Sequence, residues 1–257
     1  MFKTDNYKNK TVVITGGTKG IGLGITKAYL SLSAKVIILA RNKPKKQIQV
    51  KGNKALFYRC NVRDNANVEE VINEIFKVNK CIDVLINNAG GAPLISSLDA
   101  SMNFNNAIID LNLNSSFAVS YYVAKKMIKK SSGCVITNIS SVTATRPTPG
   151  SAAYGAAKGG LVNLTKTLAV EWAPKIRVNS IITGYIETEN SLIHYGSKKD
   201  MKAVAKTIPM KRMGTPEDIA NACMFLSSAN SSWVTGTAIE VHGGGESPTY
   251  LNSAKPK

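Results

Sequence analysis

Soft metal ligands are scarce in this chain. Among 257 residues there are two histidines, His194 and His242, and four cysteines, at 60, 81, 134 and 223. None of them stands at a metal-binding spacing, so no metal centre is expected. The same cysteines form no disulfide framework and read as free thiols of a cytoplasmic protein. Long apolar runs are missing too. Segments such as 36–40 and 84–86 have strand length, far below the ~20 residues that cross a bilayer. The N-terminal M-F-K-T-D-N-Y-K-N-K is polar and has no signal-peptide core, so no membrane association is expected. Acidic residues are few, 16 against 33 basic ones, giving a formal charge of +17. The lysines are spread along the chain beside abundant Asn and Ile, with no aromatic-basic stripe, so nucleic acid is not expected as a partner. Internal repeats, low-complexity linkers and a second domain are also absent, and the whole of 1–257 reads as one domain long enough to bury a full core.

What is present is a regular alternation. Strands are predicted at 11–15, 35–40, 55–60, 82–86, 134–139, 176–182 and 237–241. Helices are predicted at 20–32, 67–79, 102–130, 152–172 and 216–227. The fold class is therefore α/β: a single doubly wound Rossmann-type domain, with a seven-stranded parallel sheet and helices on both faces. Segment 184–212 has only weak periodicity, and long irregular segments in compact domains are often functional. The tail 247–257 is polar.

Two segments carry chemistry. The β-branched run T-V-V-I-T at 11–15 leads into Gly16, Gly17, Thr18, Lys19, Gly20, Ile21 and Gly22, and then into an amphipathic stretch. Strand, glycine turn and helix form the first unit of a dinucleotide-binding fold. Glycines let the backbone approach a diphosphate, and the helix N-terminus offers free N–H groups and a favourable dipole. Further on, Ser141 precedes Tyr154 by thirteen residues, and Lys158 follows Tyr154 by four, on the same helix face. A phenol alone titrates near pH ~10. An adjacent ammonium favours the phenolate and is expected to lower that value, tuning Tyr154 for proton transfer near neutrality. Ser141 can hydrogen-bond the same reacting oxygen.

Taken with their neighbours, these segments resemble the short-chain dehydrogenase/reductase family over almost the whole chain. T-G-G-T-K-G-I-G at 15–22 resembles its cofactor turn, and N-N-A-G at 87–90 the motif after its fourth strand. Asn112 in D-L-N-L resembles its active-site Asn, and N-I-S-S at 138–141 with Tyr154 and Lys158 its catalytic segment. Arg177-Val-Asn179, R-M-G-T-P-E-D-I-A near 215 and V-T-G-T-A-I-E-V-H-G-G near the end also match. The resemblance implies a nicotinamide cofactor and an enzyme that moves a hydride between it and a carbonyl or secondary alcohol. In that scheme Ser141 orients the carbonyl, Tyr154 gives the proton, Lys158 holds the nicotinamide ribose, and Asn112 fixes a water of the proton relay. Cofactor contacts are implied for Gly16, Thr18, Lys19, Gly20, Ile21, Gly22, Arg41, Asn61, Val62, Asn88, Ala89, Gly90, Tyr154, Lys158, Gly184, Ile186 and Thr188. Segment 184–212 corresponds to the family's substrate lid.

Cofactor choice is read from charge. The predicted second strand ends Leu39-Ala40-Arg41-Asn42, without the acid that would bind a ribose 2′-OH. Arg41 and Lys19 are expected to cradle a 2′-phosphate, favouring NADP(H), with NAD(H) left open. Asn61 stands where the family usually has Asp and retains only a carbonyl oxygen for the adenine amine. Thr183 replaces the Pro usual before Gly184, and His242 replaces the Asp usual before the terminal glycines. Lys125, Lys126, Lys129 and Lys130 either meet an acyl carrier protein or CoA phosphate, or favour a helix C-terminus through its dipole. The leading expectation is an NADPH-dependent 3-oxoacyl thioester reductase, working as a homotetramer built on 102–130, 152–172 and the last strand. Oxidation of a secondary alcohol, hydroxyacyl-CoA or hydroxysteroid stays open, as does a non-catalytic nucleotide-binding role on the same fold.

Overall fold

A computed structural model describes residues 7–129, 133–246, 248 and 253–254. In chain order it contains β1 (Thr11–Thr15), α1 (Gly20–Ser31), β2 (Lys35–Ala40), β3 (Gln49–Val50), β4 (Asn53–Lys54), β5 (Leu56–Arg59), α2 (Asn65–Asn79) and β6 (Val84–Asn87). There follow α3 (Met102–Ile109), a π-turn (Asp110–Asn114), α4 (Ser115–Met127), β7 (Cys134–Ser141), α5 (Ala152–Trp172), β8 (Ile176–Thr183), α6 (Ser191–Tyr195), α7 (Lys198–Thr207), α8 (Pro216–Ser227) and β9 (Ala238–Val241). Seven strands form one sheet in the order β5-β2-β1-β6-β7-β8-β9. Every neighbouring pair is parallel.

The strands are apolar on both faces because both faces are covered. Val13, Ile37, Leu85, Ile136 and Val178 pack against α2, α4 and α5 through Ile72, Val123 and Leu168. Val12, Ile14, Ile38 and Ile86 point the other way and pack against α1 and α8 through Ile25, Tyr29, Ile219 and Leu226. The chain runs outward from β1 to β2 and β5, then returns to β6 on the other side of β1. That reversal opens a crevice at the carboxyl ends of β1 and β6, the place where doubly wound folds bind ligands. The glycine turn and the N-N-A-G segment both lie there.

Three expectations are corrected. The helix predicted over 102–130 is α3, a π-turn and α4. Asn112 Nδ2 donates to the Ile108 carbonyl at 2.9 Å and Ser115 Oγ to the Leu111 carbonyl at 2.7 Å. Side-chain donors thus take two carbonyls of the helical ladder and the turn widens. Lys129 follows α4, and Lys130 lies outside the described residues. Segment 184–212 is less irregular than its weak periodicity implied. It contains α6 and α7, and α7 begins with a reciprocal capping box between Ser197 and Asp200. A short hairpin, β3–β4, stands where no strand was expected. The tail 247–257 falls almost wholly outside the described residues.

Candidate active site

The carboxyl end of β7 carries Ser141, and the face of α5 turned toward it carries Tyr154 and Lys158. The Ser141 hydroxyl lies beside the Tyr154 phenol and favours its ionised form. Ser141 Oγ also accepts from the Thr143 N–H at 3.3 Å, which holds the hydroxyl at the strand end. Lys158 is buried. Its Nζ donates to the Ile139 carbonyl at 2.8 Å and lies 5.6 Å from the centre of the Tyr154 ring.

Burial decides the electrostatics. It lowers Lys158 to about 8. It pushes the Tyr154 phenol above its ordinary value, while the neighbouring Ser141 hydroxyl acts in the opposite sense. The Tyr154–Lys158 spacing predicts that the ammonium lowers this phenol, and the net direction is the reverse. Desolvation disfavours the phenolate, and the Lys158 ammonium is turned to a main-chain carbonyl. A protonated phenol at neutrality is a proton donor in waiting.

Asn112, fully buried in the π-turn, clamps the loop after β6. Its Oδ1 accepts from the Gly91 N–H at 2.8 Å and its Nδ2 donates to the Gly91 carbonyl at 3.0 Å. Gly90 is confined by the same group. A Cβ there would lie 2.6 Å from Asn112 Oδ1 and 3.3 Å from Lys158 Nζ. Asn112, Gly90 and Lys158 are therefore brought together, with the Asn112 amide engaged by protein partners.

The loops after β1 and β6 are stitched to each other. Thr15 Oγ1 accepts from the N–H groups of Asn88 and Ala89 at 2.9 and 3.0 Å. Asn88 Nδ2 donates to the carbonyls of Thr15 and Gly16 at 3.0 and 3.2 Å. Gly22 makes this possible, since a Cβ there would lie 2.3 Å from the Gly16 oxygen. Helix α1 has no acid in its first turn. Its first amide, Gly20 N–H, instead donates to Glu189 Oε1 at 2.8 Å. A carboxylate from a distant segment thus sits on the helix N-terminus, where the fold offers amides to an anion. The Gly20 amide is thus free of any main-chain partner and taken by an anionic group.

Beside it, a cavity of about 560 Å³ is lined by Arg41, Asn42, Arg59, Asn61 and Asn67. Lys19, expected to share a phosphate with Arg41, does not line this cavity. Val62 is buried in the core, and Ile21 is partly buried against the α1 side of the sheet. Gly184 donates to the Val241 carbonyl at 3.1 Å and abuts His242. Ile186 bridges Gly214, and Thr188 N–H donates to Ser191 Oγ at 2.7 Å, close beside Gly20. His242 pairs with Glu240 at 2.7 Å, and no metal-binding cluster occurs among the described residues.

Sequence reasoning missed a polar cluster near Tyr154. Arg146 Nη2 donates to Tyr185 Oη at 3.0 Å, and Arg146 forms an ion pair with Glu246. The Tyr185 and Tyr195 rings meet edge-on at 5.8 Å. Burial, with the phenols of Tyr185 and Tyr154 nearby, pushes Tyr195 up to about 12. The segment R-P-T-P-G was visible in the sequence, but no local signal tied it to Tyr185 or Glu246. The lysine cluster is partly engaged by its own helix and by α2. Lys125 lies over the Tyr121 ring and Lys126 over Phe76. A larger cavity, about 890 Å³, lies at the amino ends of the strands beside Tyr7, Asp83, Pro174 and Trp233, and contains none of these groups.

Comparison with known proteins agrees with this arrangement. A family model described as enoyl-(acyl carrier protein) reductase matches residues 16–246. The 3-oxoacyl-(acyl-carrier-protein) reductase of Chlamydia pneumoniae is 36% identical, with 91% of this chain and 96% of that protein covered. A probable 2,4-dienoyl-CoA reductase of Bacillus subtilis is 34% identical over 92% of this chain and 96% of its own. Among solved structures, ligand-free aldohexose dehydrogenase of Thermoplasma acidophilum superposes with a TM-score of 0.86 at 32% identity, covering 98% of this chain and 97% of that one.

Proposed function

The chain belongs to the short-chain dehydrogenase/reductase family, and from that premise we propose that it is an NADP(H)-dependent reductase of 3-oxoacyl thioesters. The observation that carries the reaction type is Ser141 at the end of β7 beside the Tyr154 phenol, with buried Lys158 Nζ 5.6 Å from the Tyr154 ring centre. The thioester reading is supported by relatives named as 3-oxoacyl-(acyl-carrier-protein) reductases at about a third identity over nearly full length.

In this reading Gly20 and the loops of Asn88 and Gly90 would hold the cofactor, with Gly184, Ile186 and Thr188 at its nicotinamide end. The bound nicotinamide supplies the hydride for the carbonyl carbon. Ser141 orients the carbonyl oxygen, and Tyr154, protonated at neutral pH, delivers its proton to that oxygen. Lys158 holds the nicotinamide ribose and assists proton return to Tyr154. Asn112 keeps the Gly90–Gly91 loop in register with Lys158, and a water of the relay belongs near this group. Segment 184–212, with α6 and α7, closes over the substrate and excludes water. The protein acts in the cytoplasm as one domain and as a homotetramer, with acyl carrier protein or CoA presenting the substrate.

One observation favours a second reading, oxidation of a secondary alcohol. Tyr195, a neighbour of Tyr154, meets Tyr185, which Arg146 and Glu246 hold in a polar cluster, and this suits a hydroxylated substrate. The intact Ser141, Tyr154 and Lys158 set speaks against a non-catalytic role. A panel of 3-oxoacyl thioesters, ketones, hydroxysteroids and sugars with NADPH and NADH separates these readings. Thioester reduction with NADPH at the highest kcat/KM is expected. Preference for NADH, or for an alcohol without thioester turnover, overturns the proposal.

A further inference from the structure

Strands β2 and β5 are parallel neighbours in which Ala40 is paired with Arg59. The ladder ends where Cys60 N–H donates to the Ala40 carbonyl at 3.0 Å. This register sets Arg59 beside the end of β2, immediately before Arg41. Both arginines line one cavity of about 560 Å³, together with Asn42, Asn61 and Asn67. No acid lines it. Among the described residues, neither guanidinium forms a hydrogen bond or an ion pair. Asp64, the nearest acid in sequence, caps α2 by accepting from Asn67 N–H at 3.1 Å. Asn67 Oδ1 in turn accepts from Asn61 N–H at 2.8 Å, which fixes the loop that floors the cavity.

Two like charges that face one polar cavity without a counter-charge repel each other, and an anion between them removes that repulsion. A guanidinium presents its donors as a planar fork that matches phosphate oxygens, and two forks suit a dianion better than one. The cavity also lies one strand outward from the glycine turn, the side on which this fold carries the adenosine ribose.

We propose that Arg59 is a second guanidinium of a ribose-phosphate subsite, acting with Arg41 on the 2′-phosphate of NADP(H). The inference rests on the NADP(H) reading above. It moves the second cation from Lys19, next to the glycines, to a residue eighteen positions beyond Arg41 that only strand register brings alongside. The three asparagine amides complete the cavity as neutral groups, so charge selection falls on the two arginines.

Titration calorimetry on the full chain tests this without turnover. Wild type, Arg59→Gln, Arg59→Lys and Arg41→Gln are titrated with NADPH, NADH, 2′,5′-ADP and 3′,5′-ADP. Arg59→Gln should weaken NADPH and 2′,5′-ADP by about tenfold or more and leave NADH within about twofold. Arg59→Lys should recover part of the loss, since the charge remains and the fork does not. Equal weakening of NADPH and NADH would mean a structural role and overturn the assignment. So would unchanged 2′,5′-ADP affinity in Arg59→Gln. Weakening confined to 3′,5′-ADP would give the pair to a CoA phosphate and also overturn it. A wild type that prefers NADH brings down the cofactor reading and this inference together. A wild type that prefers NADPH, with a preference that survives Arg59→Gln, brings down this inference alone.

Discussion

The main-chain N–H of Gly20 and the carboxylate of Glu189 meet at 2.8 Å across 169 positions of sequence. One is the first amide of α1 and the other belongs to the segment before α6. A carboxylate on that amide uses the same hydrogen bond and the same end of the helix dipole that a diphosphate would use. A dinucleotide whose diphosphate took this amide would displace the carboxylate.

Removing the charge should help the cofactor. Glu189→Gln is expected to tighten NADPH about two- to fivefold, the size of a single charge at a helix end. Fluorescence titration reads this directly. Unchanged or weaker binding would show that Glu189 does not compete at Gly20.

Tyr154→Phe removes one hydroxyl from a side chain packed between Ser141 and Lys158. The fold and NADPH affinity should stay near wild type, because the ring still fills its place. Turnover should drop by about 10²–10⁴-fold, the usual value of a positioned proton donor. Activity within a few-fold of wild type would remove Tyr154 from the chemistry.

Lys158 links function to stability. Burial brings its ammonium from 10.5 down to about 8. Below pH 8 folded and unfolded chains both hold the proton, and the destabilisation from the buried charge is fully present. Between pH 8 and 10.5 the unfolded chain holds more protons, so stability rises with pH. Measured against Lys158→Met, which cannot titrate, wild type should gain up to about 3 kcal/mol of unfolding free energy across that window. Urea denaturation of both proteins at pH 7 and pH 10.5 gives the comparison. A difference that does not change with pH contradicts a depressed Lys158.

Assembly can be read from exposed apolar groups. Phe117 and Tyr121, one turn apart on α4, are about half exposed, and Val170 on α5 is 82% exposed. Large apolar side chains grouped on two adjacent helices suit a subunit contact. Light scattering at micromolar concentration should report a tetramer or dimer, and Phe117→Asp with Val170→Asp should lower the mass. A monomeric wild type refutes this.

The sequence by itself determined the alternation of strands and helices, the glycine turn, and the Ser141, Tyr154 and Lys158 set. Each is written in short-range terms: a period of apolar residues, a glycine spacing, two side chains one helical turn apart. The capping box that starts α7, Ser197 with Asp200, is equally local, yet with so little apolar periodicity behind it no helix is predicted there. Only the tertiary structure decided three other things. Strand register, not spacing, set Arg59 beside Arg41. The return of the chain after β8 carried Glu189 to Gly20. Packing around α5 raised the Tyr154 phenol where its neighbour Lys158 alone would have lowered it. Contacts between distant segments and the loss of water around a buried group depend on how the whole chain packs, and no local pattern encodes them.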